Sequence, residues 1–353
     1  MRVLHLPHNI ASIPRHTIKA LRSIGIDARG LMIGGTVIQS FDNITVIDIP
    51  GQTRLVRLWN MARFFSKFIR LVLWADVIHW YFSELFPFGL DLKIIKLLKK
   101  PAAVEWLGSE IRIPEIEFRD NPFYKQAYQS GSYEYPEESY DASLTRQARF
   151  VNNGFVPIVS GMTGTKQYIQ HDVVNDYYCV NQRLSVTEYP AHYPNPQNKT
   201  PLVVHSPSAP TAKGTKHVLA AIDSLKKRYD FEFMLIQNVP HSEALELMSK
   251  ADIFLDQFVL GLYGMAALEA MSFGKPVICY MKPSLLCEFP PDIPVIDANP
   301  SNLVEKLEML IINGNLRYQV GQDSRKYVEK YHNSIDIAHQ LVPIYEKLIK
   351  AKQ

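Results

Sequence analysis

GLYGMAALEAMSFGKPVICY, residues 261–280, reads as a short helix running directly into a buried strand. A glycine–aromatic–glycine opens the helix near Tyr263–Gly264, small apolar residues fill it, and Gly274 with Pro276 ends it. Helix-into-strand is half of a βαβ unit, so the segment implies a parallel sheet. One carboxylate, Glu269, stands inside it with no basic residue three or four positions away. Among Met265, Ala266, Ser272 and Phe273 a charged acid is costly unless hydrogen bonds reach it. A pair of sugar hydroxyls would supply them; so would a neighbouring loop or a lysine from elsewhere. The unpaired N–H groups and positive dipole end of the same helix form an anion site, which Gly264 lets an anion approach closely.

The same pattern extends in both directions. RVLHL, DARGLMI, ADVIHWYF, AAVEWL and VPIVS read as strands of a first sheet, and PLVVHS, FEFMLI, ADIFLD and PVICY as strands of a second, with amphipathic helices between. PRHTIKALRSIG is a helix ended by Gly25. The halves echo each other: WADVIHWYF…KKPAAVEW repeats as KADIFLDQFVL…FGKPVICYM, an Ala-Asp strand, a helix, then Lys-Pro and a strand. Between them VTEYPAHYPNPQNKT is proline-rich and without periodicity. The expectation is an α/β chain of two Rossmann-like domains facing a central cleft: 1–186, a linker 187–200, and 201–332. Residues 333–353 form a helix that bends at Pro343 and returns to the first domain. Ligands of such sheets bind at the carboxyl ends of the strands.

Composition narrows the function. With 353 residues, 47% hydrophobic and 21% charged, the chain is a folded protein with room for two cores. A net charge of +3 is too mild to argue for nucleic acid. Cys179, Cys279 and Cys287 are an odd, unclustered set, which fits a reducing cytoplasm. MRVLHLPHNI is too short an apolar stretch for a signal peptide, and charges interrupt every longer run. No Asp, His or Cys cluster has ligand spacing, so no metal is expected.

A second element lies at residues 203–227, VVHSPSAPTAKGTKHVLAAIDSLKK. A strand enters a loop of Ser206, Ser208 and Thr211, then Lys213-Gly214-Thr215 opens a helix. Hydroxyls and a lysine at a helix start suit a phosphate, although P-loop spacing is absent; alternatively Lys213 is a solvated loop residue beside an N-cap threonine.

KGTKHVLAAIDSLKK, VPHSEALELMSKADIFLDQ and GLYGMAALEAMSFGKPVICY together resemble the donor half of retaining glycosyltransferases of family 4, also called group 1, with the GT-B fold. ADVIHWYF, EWLGSEIR and LRYQVGQDSRKYVEKY resemble the matching pieces of the first domain and the C-terminal helices. The resemblance implies transfer of a sugar from a nucleotide diphosphate sugar to a glycan or lipid-linked acceptor, with no cofactor besides that co-substrate. The reaction would serve cell-surface polysaccharide or glycoconjugate synthesis, in the cytoplasm or peripherally on the inner face of the membrane. It implies that Lys213 contacts the diphosphate and Glu269 the ribose, these two being the catalytic assignments. Ser206 and Ser208, the Asn238–Val239–His241 loop, Tyr263, Gly264 and Met265 complete the donor side.

Three positions depart from the family pattern. Ser208 stands five residues before the lysine where an arginine is usual; Gly261 replaces the first glutamate of a Glu-x7-Glu pair; Leu107 replaces a histidine, with Glu110 for an aspartate. These departures support an alternative, a non-catalytic GT-B protein that binds glycan or a partner enzyme. A sugar-nucleotide epimerase of this fold would want ionisable residues at positions 107 and 261. On the acceptor side the expected residues are His8, Asn9, Gly108, Ser109 and Glu110, with His8 and Asn9 open to the alternative of a polar turn. RLVRLWNMARFFSKFIRLVLW, residues 54–74, carries five basic residues and no acid. Its core stripe reads as Leu55, Leu58, Ala62, Phe65 and Ile69, leaving Phe64 and Phe68 for an anionic membrane surface or an ordinary solvated face. FYKQAYQSGSYEYPEESY, residues 123–140, reads as an acceptor platform or a surface insertion.

Overall fold

Residues 1–34, 44–48 and 53–352 are described by a computed structural model. Short, largely apolar runs form β1 (Arg2–Leu6), β2 (Asp27–Gly34), β3 (Ile44–Asp48), β4 (Val77–Tyr81), β5 (Ala102–Trp106), β6 (Phe155–Gly161) and β7 (Tyr178–Asn181). They pair in parallel in the order 3-2-1-4-5-6-7. A second parallel sheet contains β8 (Leu202–His205), β9 (Glu232–Leu235), β10 (Ile253–Leu255), β11 (Val277–Cys279) and β12 (Ile296–Asp297), in the order 12-11-10-8-9. Each order reverses once, between β1 and β4 and between β8 and β10. Such a reversal opens a crevice at the carboxyl ends of the strands. The repeated Ala-Asp segments are β4 and β10, the strand beyond the reversal in each sheet.

Both faces of each sheet are covered. One face of the first sheet is closed by Val3, Ile18 and Leu21 packed with Ile337, Leu341 and Tyr345 of the helix Ser334–Lys350. That helix is continuous through Pro343, contrary to the expected break. Pro343 and His339, whose carbonyl loses its partner, both lie on the exposed side, where water can replace the bond. The chain turns instead at His332–Asn333: the His332 ring bonds the Gln182 carbonyl at 2.7 Å, and Leu184 pairs with Asn333.

The segment 114–140 is not a loose insertion. It leaves the first domain and grips the second. Tyr124, Ala127 and Tyr133 pack with Ala209, Ala212 and Val259. Glu134 accepts the Thr211 and Ala212 N–H groups at 2.7 and 2.9 Å, and buried Lys282 pairs with Glu117 and Asp120, each at 3.1 Å. Asn121 is fully buried; its amide donates to the Val259 carbonyl at 2.8 Å while its Oδ1 accepts Tyr124 N–H at 3.0 Å. Asn121→Ala removes a helix cap and orphans a carbonyl, an expected cost of about 2 kcal/mol. The check is the urea midpoint, which should fall with the slope unchanged.

Candidate functional site

The two crevices face each other and merge into one cavity of about 500 Å³, a size suited to a small-molecule ligand. The first domain supplies Ile10, Ala11 and Ile13 after β1, Phe82 after β4, Leu107–Glu110 and Arg112 after β5, and Gln182 after β7. The second supplies Ser206, Ser208 and Lys213 after β8, then Asn238, Val239 and His241 after β9. Met265, Ala266 and Glu269 come from the helix Met265–Ser272.

Lys213 ends a four-residue helix, Pro210–Lys213, that Gly214 closes. Its ammonium meets buried Asp256 at 3.2 Å, just past β10. The other Asp256 oxygen accepts the Gly264 N–H at 2.7 Å, so one carboxylate holds the lysine against the helix start. A side chain at 264 would sit 3.2 Å from the lysine nitrogen and would have to push it aside. The first turn of a helix has N–H groups without intrahelical partners, and here Met265 and Ala266, at that turn, line the cavity beside a cation.

Glu269 is buried, and the base missing from its own helix comes from another. His241, at the start of the helix His241–Ser249, brings Nε2 to 2.8 Å from the carboxylate. The hydrogen bond to Glu269 raises the imidazole pKa above its ordinary value, with burial opposing. Tyr189 also lies beside this acid; burial, then the Glu269 charge, pushes its phenol pKa up. The arrangement is one carboxylate with a titratable partner, facing the same cavity as the Lys213 ammonium.

Ser206, Ser208, Lys213, Asn238, Val239, His241, Met265, Glu269, Gly108, Ser109 and Glu110 all reach the cavity wall. Four expected residues do not line it. Tyr263 turns inward, its hydroxyl bonding Tyr327 at 3.1 Å and His332 at 3.0 Å, because its ring fills the core beneath the helix Gly314–Tyr331. Gly264 acts through its N–H on Asp256. Asn9 accepts the Arg15 N–H at 3.4 Å, and His8 stands edge-on to Phe82. Glu110 lines the wall but folds back to accept the Leu107 and Gly108 N–H groups, and burial raises its pKa. Its acid shapes the loop.

Gly261 has φ +81, and a side chain there would meet Lys282 at 2.8 Å and Asn121 at 3.3 Å. Lys282, held by Glu117 and Asp120 of the first-domain grip, and Asn121 thus occupy the space a glutamate would need. Sequence reading missed Asp256 and Arg112; Tyr135 lines the cavity and belongs to the stretch 123–140 that was read as an acceptor platform or a surface insertion. Arg112 is held by Glu138 at 2.6 Å, and both Arg112 and Lys213 act electrostatically on Tyr135, placing that phenol near two cations. An aspartate at the carboxyl end of an apolar strand, as in IFLD, was a signal available for Asp256.

Residues 232–327 match the family described as glycosyl transferases group 1. No curated protein matches the chain. Among solved structures, sucrose-phosphate synthase from Thermosynechococcus elongatus superposes with a TM-score of 0.64, at 13% identity, over 99% of this chain and 100% of that one. Anabaena HepE, solved in complex with UDP-glucose, gives 0.60 at 12% identity over 98% and 100%. WaaG, described as a glycosyltransferase involved in lipopolysaccharide biosynthesis, gives 0.55 at 11% over 98% and 99%. At these identities the likeness is one of fold. The chain has the GT-B fold, and the segment that matches the glycosyl transferases group 1 model contains Asn238, His241, Asp256 and Glu269.

Proposed function

We propose that the protein is a retaining glycosyltransferase that moves a sugar from a nucleoside diphosphate donor to a glycan or lipid-linked acceptor. The reading is supported above all by the placement of Lys213 and Glu269 on one wall of one cavity, at the reversal point of the second sheet. Lys213 takes the diphosphate, with the first-turn N–H groups of Met265 and Ala266 beside it. Glu269 takes the ribose hydroxyls, and Asn238 and Val239 border the base. As the bond from sugar to diphosphate breaks, negative charge grows on the leaving group, and the Lys213 side stabilises it. In a retaining reaction the leaving diphosphate can itself draw the acceptor proton, so Leu107 costs the mechanism no base. Because Gly261 leaves no room for a glutamate, the transferred sugar is held chiefly by the first-domain wall at Leu107–Glu110. HepE's complex with UDP-glucose makes uridine the first base to try. Cell-surface glycan synthesis in the cytoplasm fits three cysteines without a disulfide among the described residues.

The test is a thermal-shift panel of UDP-, GDP- and dTDP-sugars, followed by a transfer assay with the sugar that shifts most. Binding of a nucleotide sugar, with transfer of its sugar to an acceptor and release of the nucleoside diphosphate, supports the proposal; no shift with any of them rejects it. Binding without turnover favours the second reading, a non-catalytic glycan- or partner-binding protein, for which the departures at Leu107, Ser208 and Gly261 speak. Among the described residues no three His, Cys, Asp or Glu side chains gather as a metal site. We expect transfer to continue in EDTA; activity lost to chelation and restored by magnesium or manganese would reassign the diphosphate to a cation.

A further inference from the structure

The helix Arg54–Trp74 lies on the sheet only along its second half. Phe64, Phe68 and Val72 are buried, and the expected stripe of Leu55, Leu58 and Phe65 is on the wrong side. The first turns, Arg54–Trp59, are exposed on every side. Leu55 is 79% exposed, Leu58 64% and Trp59 66%, so two leucines and a tryptophan stand outside the core that the described residues form. A second apolar point lies close by. Phe65 meets Phe86 edge-on at 5.9 Å, and two residues on Phe88 is 86% exposed with φ +59, a backbone region rare for a bulky residue.

Charge selects what this surface meets. Arg54, Arg57, Arg63, Lys67 and Arg70 lie on the helix, which has no acid. The acids of the neighbouring loop are engaged: Glu84 with Arg149, Asp91 with the Leu85 and Leu92 N–H groups. Apolar and aromatic side chains among arginines with no ion-pair partner among the described residues match the boundary of an anionic bilayer. A second copy of the chain would set like charges against each other.

We infer that the overhanging start of the helix Arg54–Trp74, with Phe88, docks the protein on an anionic lipid surface. The helix begins after β3, and the Phe88 loop follows β4. Both are at the carboxyl edge of the sheet, where Phe82 lines the cavity. The docked face therefore lies at the same end of the first sheet as the cavity. On the transferase reading above, that geometry brings a lipid-linked acceptor to the acceptor wall. No helix among the described residues is long and apolar enough to cross a membrane, so the contact is interfacial.

The test is co-sedimentation without nucleotide, on vesicles of phosphatidylcholine alone or with phosphatidylglycerol. Binding should need phosphatidylglycerol and weaken as salt rises. Trp59→Glu and Leu58→Glu should each weaken it about tenfold or more, leaving melting temperature and nucleotide affinity unchanged. Equal binding to neutral vesicles, no binding to either, or wild-type binding by both variants overturns the inference. So does a concentration-dependent dimer that the same substitutions dissolve. Because no donor is present, failure here is separable from failure of the transferase reading.

Discussion

Lys213→Ala should lower the turnover number about a hundredfold or more, the scale of removing one fixed stabilising group from a developing charge. Donor affinity should fall by less, since the ground-state diphosphate carries less charge toward that nitrogen than the departing one. The structure adds a second effect that must be separated from the first. Lys213 is the partner of buried Asp256, whose other oxygen holds the Gly264 N–H. Alanine leaves that carboxylate with an uncompensated charge, so the variant should also melt lower. Asp256→Asn in the same background relieves the charge without restoring the cation. Stability should then recover in the double variant while turnover stays low. A double variant that regains turnover with its stability would assign Lys213 to the scaffold alone.

Glu269→Gln should weaken nucleotide binding about tenfold or more, because a charge-assisted acceptor for the ribose is worth about 1.5–3 kcal/mol per bond. The free nucleoside diphosphate and the sugar nucleotide should suffer alike, since the lost contact is to the part they share. The His241 bond gives the prediction a pH dependence. The imidazole pKa is raised above the ordinary value of 6.5 by that bond and the Glu269 charge. A base with a raised pKa adds stability that is full below its unfolded value and disappears as pH climbs through the folded one. The melting deficit of the glutamine variant should therefore be largest in mildly acidic buffer and shrink in alkaline buffer. A variant that melts low yet binds nucleotide normally at every pH would leave Glu269 a partner for His241 and nothing more.

The strands that bury both faces were legible because an apolar run bounded by turn residues has few other fates; β4, β5, β10 and β11 are of this kind. β3, β7 and β12 were not read: each is short and at or near a sheet edge, where half the side chains stay polar. The helix at 54–74 carries two apolar stripes, and periodicity cannot say which one meets a sheet when the helix outreaches it. Lys213 and Glu269 stood out by local chemistry and the loop at Asn238–His241 by family resemblance, and all of them line the same cavity. Their partners did not stand out, since Asp256 is 43 residues from Lys213, and His241 is 28 from Glu269. The grip of 114–140 was invisible for the same reason: Asn121 and Val259 are 138 residues apart.

The helix Ser334–Lys350 also has a meaning for synthesis. Tyr345 reaches His79 at 2.6 Å in the interior of the first domain, and with Ile337 and Leu341 it closes one face of that domain's sheet. On the ribosome the first domain emerges earliest, yet one face of its core stays partly uncovered until the whole second sheet and then this helix have been made. The first domain is therefore expected to finish last: the second can complete itself first, while the first waits with that face covered only in part, by Ile18 and Leu21. Chaperone occupancy on nascent chains should accordingly persist through translation of the second domain and fall only after residue 350 clears the exit tunnel.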